Sequence, residues 1–174
     1  YVESSGTEVV IEGQRKLYLH TDGTLSYSGG AAEDGTLFAV AAADAAHISR
    51  AELCAAARGL IGALTQGRIG DAALFLSGIE SDDDNGATVF FDYMAGGTPI
   101  RFADGSHAAE VRIEGQSITA FSLRLRRYTL TERDSLLLPL ALSRAIAQRY
   151  PGCELTVAYI DSYGDSVGAS WIAD

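Results

Sequence analysis

Ser81-Asp82-Asp83-Asp84-Asn85-Gly86 sets three adjacent carboxylates beside an Asn-Gly pair, the residue types from which a calcium loop is built. An EF-hand loop takes oxygen ligands at positions 1, 3, 5 and 12 around a glycine at position 6. With Gly86 sixth, Ser81, Asp83 and Asn85 fall at the first three of those positions and Asp92 at the last. A serine then opens the loop, and a short aspartate stands where a bidentate glutamate belongs. Both flanks read as strands, and Asp92 lies within one of them. Asn85-Gly86 suits a hairpin connection instead, because both residues tolerate positive φ. The stretch reads as a turn whose aspartates keep its tip soluble.

Other local chemistry is sparse. His20, His47 and His107 have no i, i+4 partner, and His-Glu-x-x-His does not occur. No Gly-x-Ser-x-Gly elbow, phosphate loop or dinucleotide fingerprint is present. A hydrolase or calcium-dependent enzyme would have to assemble its site from distant residues. No catalytic residue, metal ligand or cofactor is therefore expected. Cys54 and Cys153 are the only cysteines, too few for a disulfide scaffold or a zinc cluster. Cys54 falls on the apolar face of a predicted helix and reads as a small buried hydrophobe.

Candidates for partner contact lie near one strand. Between Ser117 and Tyr128, Phe121, Leu123 and Leu125 alternate with Ser122, Arg124 and Arg126, the period-two pattern of a sheet with one wet face. Arg124, Arg126 and Tyr128 make a basic, aromatic stripe of a kind common at interfaces. The competing reading is a solvated face whose charges discourage edge pairing. Tyr163 is the late aromatic expected to be exposed, with Tyr159 and Trp171 in a core. If the stripe is a docking surface, reversing Arg124 and Arg126 should spare the fold.

Composition narrows the setting. Hydrophobic residues are 47% and charged residues 21% of the 174, a globular balance. A formal net charge of −10 is a poor footprint for nucleic acid, and it disfavours an anionic membrane surface as the main partner. No apolar run reaches the ~18 residues of a membrane span. The chain opens with Tyr1, so a fragment or a processed product is expected, one from which an upstream anchor or targeting segment could have been removed.

Several elements can be read directly. Asp22-Gly23 joins two strand-like runs, a hairpin signal. Ser49 and Glu52 form a capping box, and Ile48 with Leu53 a hydrophobic staple. The helix they open carries Leu53, Ala57, Leu60, Ile61 and Leu64 on one face and stops near Gly67. Gly59 and Gly62 inside it suggest close packing on a sheet. Strands follow over 72–77 and 88–94, a short one through Ile100 and Phe102, then 109–114 and 117–128. Thr131 with Asp134 signals a second helix with Pro139 in its opening turn, running through Leu142, Ala145 and Ile146 and ending before Pro151-Gly152. Strands over 154–161 and 169–173 close the chain.

Thr131 lies 82 residues (131 − 49) after Ser49, and Leu155 and Trp171 each lie 81 after Leu74 and Phe90. Helix start and following strands thus recur at one spacing. The expected fold is α+β: two tandem similar subdomains, 1–102 and 103–174, each an antiparallel sheet packed against one helix.

Three stretches carry a family resemblance: "ADGSHAAEVRIEGQSITAFSLRLRRY" (Ala103 to Tyr128), "LLPLALSRAIAQRYPGCELTVAYID" (Leu137 to Asp161) and the closing "ASWIAD". Over roughly 87–174 the chain resembles the extracytoplasmic regulators of the YycH/YycI family, and its hairpin-helix units are similar to PepSY-type domains. The resemblance implies a non-catalytic domain outside the cytoplasm, tethered by an N-terminal helix, that binds and tunes a membrane sensor histidine kinase. The PepSY likeness implies an alternative, a module that binds or inhibits a secreted peptidase. No catalytic motif is carried over from either.

Overall fold

The computed structural model describes residues 6–29, 38–41, 48–81, 86–132 and 135–173. Ten strands and two helices follow one another as β1 (Glu8–Glu12), β2 (Arg15–Leu19), β3 (Thr24–Ser28), α1 (Arg50–Thr65), β4 (Ala72–Ser81), β5 (Gly86–Ala95), β6 (Thr98–Phe102), β7 (Ala109–Glu114), β8 (Ser117–Arg124), α2 (Leu140–Ala147), β9 (Leu155–Asp161) and β10 (Gly168–Ala173).

All ten strands belong to one mixed sheet that forks at β5. One edge of β5 is paired with β4 from Ser81↔Ala87 to Ala72↔Ala95. Its other edge is shared. β7 takes the first part, Gly86 to Phe91, and β6 takes Tyr93 to Ala95. From β7 a wing continues through β8, β3, β2 and β1. From β6 a second wing continues through β9, in parallel pairing, to β10.

Two tandem subdomains, each a sheet with its own helix, do not form. β3 pairs with β8, β5 with β7 and β6 with β9, so strands from before and after Phe102 interleave. The repeat spacing is real in the sequence, but hydrophobic strands pair where their edges are free, and the free edges here lie across the chain.

Local signals held where backbone chemistry set them. Asp22 Oδ1 accepts from Thr24 N at 2.8 Å and Gly23 takes φ +85°, so the β2–β3 hairpin turns where expected. That bond from the Thr24 backbone holds the Asp22 carboxyl below its usual range. The Ser49–Glu52 capping box is present in both directions. Gly59 and Gly62, however, face no neighbour, and an added Cβ would meet nothing within 4 Å at either. They are exposed residues of α1, not contact points with the sheet. Asp82 to Asn85 lie outside the described residues, while the strands flanking them pair antiparallel. His47 and Asp134 lie outside them too.

The second helix departs further from expectation. It begins at Leu140 with Pro139 as its N-cap and has no side-chain cap, so Leu136 to Leu138 are not helical. A residue before proline is pushed out of the α region, which explains a start after Pro139 instead of near Thr131.

The main core lies where α1 covers β4, β5 and β7. Ala57 and Ile61 of the helix meet Val89, Phe91, Val111, Phe121 and Leu123. Cys54 is partly buried against this cluster, and it and Cys153 are free thiols. A smaller cluster of Tyr93, Ile100, Phe102 and Tyr128 fills the fork between the wings. Phe91, 2% exposed, sits under α1 at the branching strand. Phe91→Ala is expected to lower the unfolding free energy by about 3–5 kcal/mol with little change in m-value, read by urea denaturation.

Candidate functional site

The four residues singled out for partner contact come together at the fork. Arg124 ends β8, Arg126 and Tyr128 follow it, and Tyr163 lies in the turn between β9 and β10. What joins them is Asp161, the last residue of β9 and wholly buried.

The Asp161 carboxylate accepts four hydrogen bonds. Arg126 donates from Nε to Oδ2 and from an Nη to Oδ1, both at 3.1 Å. The Tyr128 hydroxyl donates to Oδ2 at 2.7 Å, and the Tyr163 backbone N–H donates to Oδ1 at 2.7 Å. The Arg126 fork matches a carboxylate in geometry as well as charge. Its remaining reach goes to the Gly164 carbonyl at 3.0 Å. Tyr163 adopts φ 64°, a conformation costly for a side-chain-bearing residue unless its surroundings enforce it. The bond to Asp161 and the ring contacts described next supply that enforcement.

A second, more exposed layer caps this centre. Arg124 donates to Asp104 Oδ2 at 3.2 Å and to the Tyr163 hydroxyl, which itself donates to Asp104 at 2.6 Å. The Ser106 hydroxyl and backbone N–H also donate to Asp104 and hold its carboxyl below the usual range. The Tyr163 ring stacks on Phe102 with centroids 5.7 Å apart, and the Arg124 guanidinium lies 5.4 Å from both ring centres. Tyr93 reaches the same region from β5 and donates to the Arg124 carbonyl at 2.7 Å.

The stripe is therefore not a row of free charges. Arg126 is bound to a buried carboxylate and Arg124 to Asp104 and Tyr163, so both work inside the chain. Reversing Arg126 would set a carboxylate against the buried Asp161, at the expense of the fold itself. Tyr128 is buried, and its backbone pairs with Gly70. Tyr163 is exposed on its outer face. Beside the cluster, a cleft of about 510 Å³ is lined by Asp22, Arg126, Arg127, Thr129 and the turn from Gly164 to Val167.

Asp161 and Asp104 escape a reading of the sequence by motif. The available signal was an acid ending the apolar strand "LTVAYID", on the side of the alternation occupied by Tyr159. Among the described residues, no three His, Cys, Asp or Glu side chains are grouped so as to hold a metal ion.

Asp161→Asn leaves Arg126 facing a neutral amide and should cost about 3 kcal/mol, toward the low end for a broken buried pair because Arg126 is partly solvated. A denaturation midpoint within error of the unsubstituted chain would contradict the role given to Asp161. Stability should also fall in base. Burial pushes the Tyr93 phenol up to about 12. Burial, with the bond to Asp161, pushes Tyr128 up as well. An unfolded tyrosine titrates near ~10, so above that pH the unfolded chain loses protons that the folded chain keeps. The stabilisation is complete below about pH 10 and is lost as pH rises through the folded values. Unfolding free energies measured from pH 8 to 12 (approximate limits) should show that decline, and Tyr93→Phe should make it shallower.

Comparison with protein families, with curated proteins and with solved structures finds no match to this chain.

Proposed function

We propose that this chain is a non-catalytic regulatory module that acts by docking another protein on the strip from Leu136 to Tyr150. One observation carries this reading: α2 presents its apolar side to water. Its single buried residue is Ser143, whereas Leu136, Leu138, Leu142, Ile146 and Tyr150 are exposed, Leu136 to 99%. A contiguous exposed apolar surface of this kind marks interaction sites, and an apolar helix face is a common recognition element.

The strip is held in place. Trp171 Nε1 donates to the Leu138 carbonyl at 2.8 Å, and Ala169 N donates to Ser135 Oγ at 3.3 Å. Both anchors come from β10, so the strip rides on the second wing, whose turn the Asp161 cluster fixes. No acidic residue lies between Ser135 and Tyr150, while Arg144 and Arg149 do. The site thus offers leucines flanked by positive charge on an otherwise acidic body.

The family resemblance supplies the partner and the setting: a membrane sensor histidine kinase, met outside the cytoplasm by a domain tethered through its own anchor. Among the described residues no helix is long and apolar enough to cross a membrane.

The test is binding of the purified chain to the extracytoplasmic domain of each sensor kinase of the source organism, alongside its secreted peptidases. One kinase domain should be retained. Leu142→Glu with Ile146→Glu should weaken that retention by about tenfold or more, ~1.4 kcal/mol, with the circular dichroism spectrum and unfolding midpoint unchanged. Equal retention by the double variant would remove the strip. Retention of a peptidase in place of any kinase would overturn the kinase as partner.

A further inference from the structure

From Ser135 to Cys153 the chain has two arginines and no acidic residue. That stretch carries +2, which leaves −12 (−10 − 2) on the rest of the body. A net charge of −10 disfavours an anionic surface as a partner for the chain as a whole. Charge this unevenly placed, however, turns one side of the body toward such a surface and the other sides away.

The two guanidinium groups are free to act outward. Arg124 and Arg126 are held by Asp104 and Asp161, whereas neither Arg144 nor Arg149 has a side-chain partner among the described residues. Arg144 lines a cleft of about 500 Å³ between α2 and the start of β9, together with Tyr150, Gly152 and one acid, Glu154.

The leucines beside them form a lip, not a groove. Leu136 is 99% exposed and Leu138 52%, and both precede α2. The Trp171 indole holds the lip by the Leu138 carbonyl, so its backbone is fixed while its side chains project. A projecting lip suits a surface that yields around it better than one that must supply a matching pocket. Tyr150, 60% exposed, adds an amphipathic ring of the kind that sits at headgroup level. Leucine, arginine and tyrosine on one exposed strip match segments that lie in the plane of a membrane interface. Such segments set apolar side chains among the acyl chains and basic ones at the phosphates.

We infer that the lip at 136–138, with Arg144 and Arg149, docks on an anionic lipid bilayer. Leu136 and Leu138 enter the acyl boundary, and the two guanidinium groups meet lipid phosphates. The inference rests on the strip being a docking surface, as proposed above, and adds the bilayer beside the protein partner, to which Leu142 and Ile146 are left.

Vesicle binding by the whole chain tests this with no protein partner present. Phosphatidylcholine vesicles with about 30% phosphatidylglycerol should sediment the chain, and pure phosphatidylcholine should bind it more weakly by about tenfold or more. Trp171, the only tryptophan, reports the site, because bromine on the acyl chains should quench it. Arg144→Gln with Arg149→Gln should lower affinity for the anionic vesicles about tenfold. Leu136→Ser with Leu138→Ser should lower it as much and remove the quenching, and Leu136→Ser alone decides if the pair unfolds. No sedimentation at about 1 mM anionic lipid, where even the affinity of a single acyl chain would leave most of the protein bound, overturns the bilayer as ligand. Equal affinity for neutral vesicles overturns the part given to the arginines. Binding without quenching of Trp171, or binding unchanged in the folded leucine variant, places the contact elsewhere and overturns the lip. Kinase retention that depends on Leu142 and Ile146 while vesicles go unbound sinks this inference alone, and the converse sinks only the kinase reading.

Discussion

The Asp161 carboxylate holds the two wings of the sheet to each other. Strand pairing alone joins them only through β5, and a sheet that forks must leave its branches splayed unless something closes the gap. Here the closure is ionic and aromatic at once. Arg126 and Tyr128, leaving β8, converge on Asp161 at the end of β9, while Tyr93 and Phe102 fill the space beneath. Burying a carboxylate is costly without partners, and four donors offset that cost. The arrangement has a geometric requirement too. Gly70 pairs with Tyr128 at φ +69°, and a Cβ there would collide with the Tyr128 carbonyl. The segment carrying Tyr128 is thus packed as closely as a backbone allows.

The two helices illustrate opposite uses of the same residue types. α1 lays Ala57 and Ile61 on the sheet and leaves its glycines to solvent. α2, with more leucine per turn, buries a serine and leaves its leucines in water. The second wing is narrow: β6, β9 and β10 span few residues, and the inner face of that wing is already filled by Tyr93, Ile100, Phe102 and Tyr128. α2 touches β9 and buries only Ser143 there. The chain instead fixes the strip by hydrogen bonds from β10, a mode of attachment that positions a surface without hiding it.

Much of the strand content was legible because alternation is a local signal: β7, β8, β9 and β10 begin and end within a few residues of where period two places them. The hairpin at Asp22-Gly23 and the cap at Ser49 were legible for the same reason, since each is satisfied by atoms a few residues apart. The topology was not. Parallel pairing of β6 with β9 and antiparallel pairing of β3 with β8 depend on which edges remain open after nearer strands have paired, and no window of sequence records that. The Arg124, Arg126, Tyr128 and Tyr163 side chains were recognisable as a group worth attention. Their partner Asp161 was not, because a lone acid at a strand end looks like any solvated one until the strand opposite is known. His107 and Asp92 shared that fate: one was noticed as a lone histidine and the other in a calcium-loop pattern that did not hold together, and only the fold brings them into contact.

The interleaved order of the strands bears on how the chain can be made. β3 waits for β8, β5 for β7, and β6 for β9, so the first hundred or so residues have hairpins to form but no closed sheet to enter. Non-local pairings of this kind are slow to form, because chain entropy must be lost before contacts compensate it. During synthesis the emerging half therefore carries open strand edges, the surfaces most prone to wrong pairing. A chain that cannot complete its sheet until its last strands arrive keeps those edges open until then.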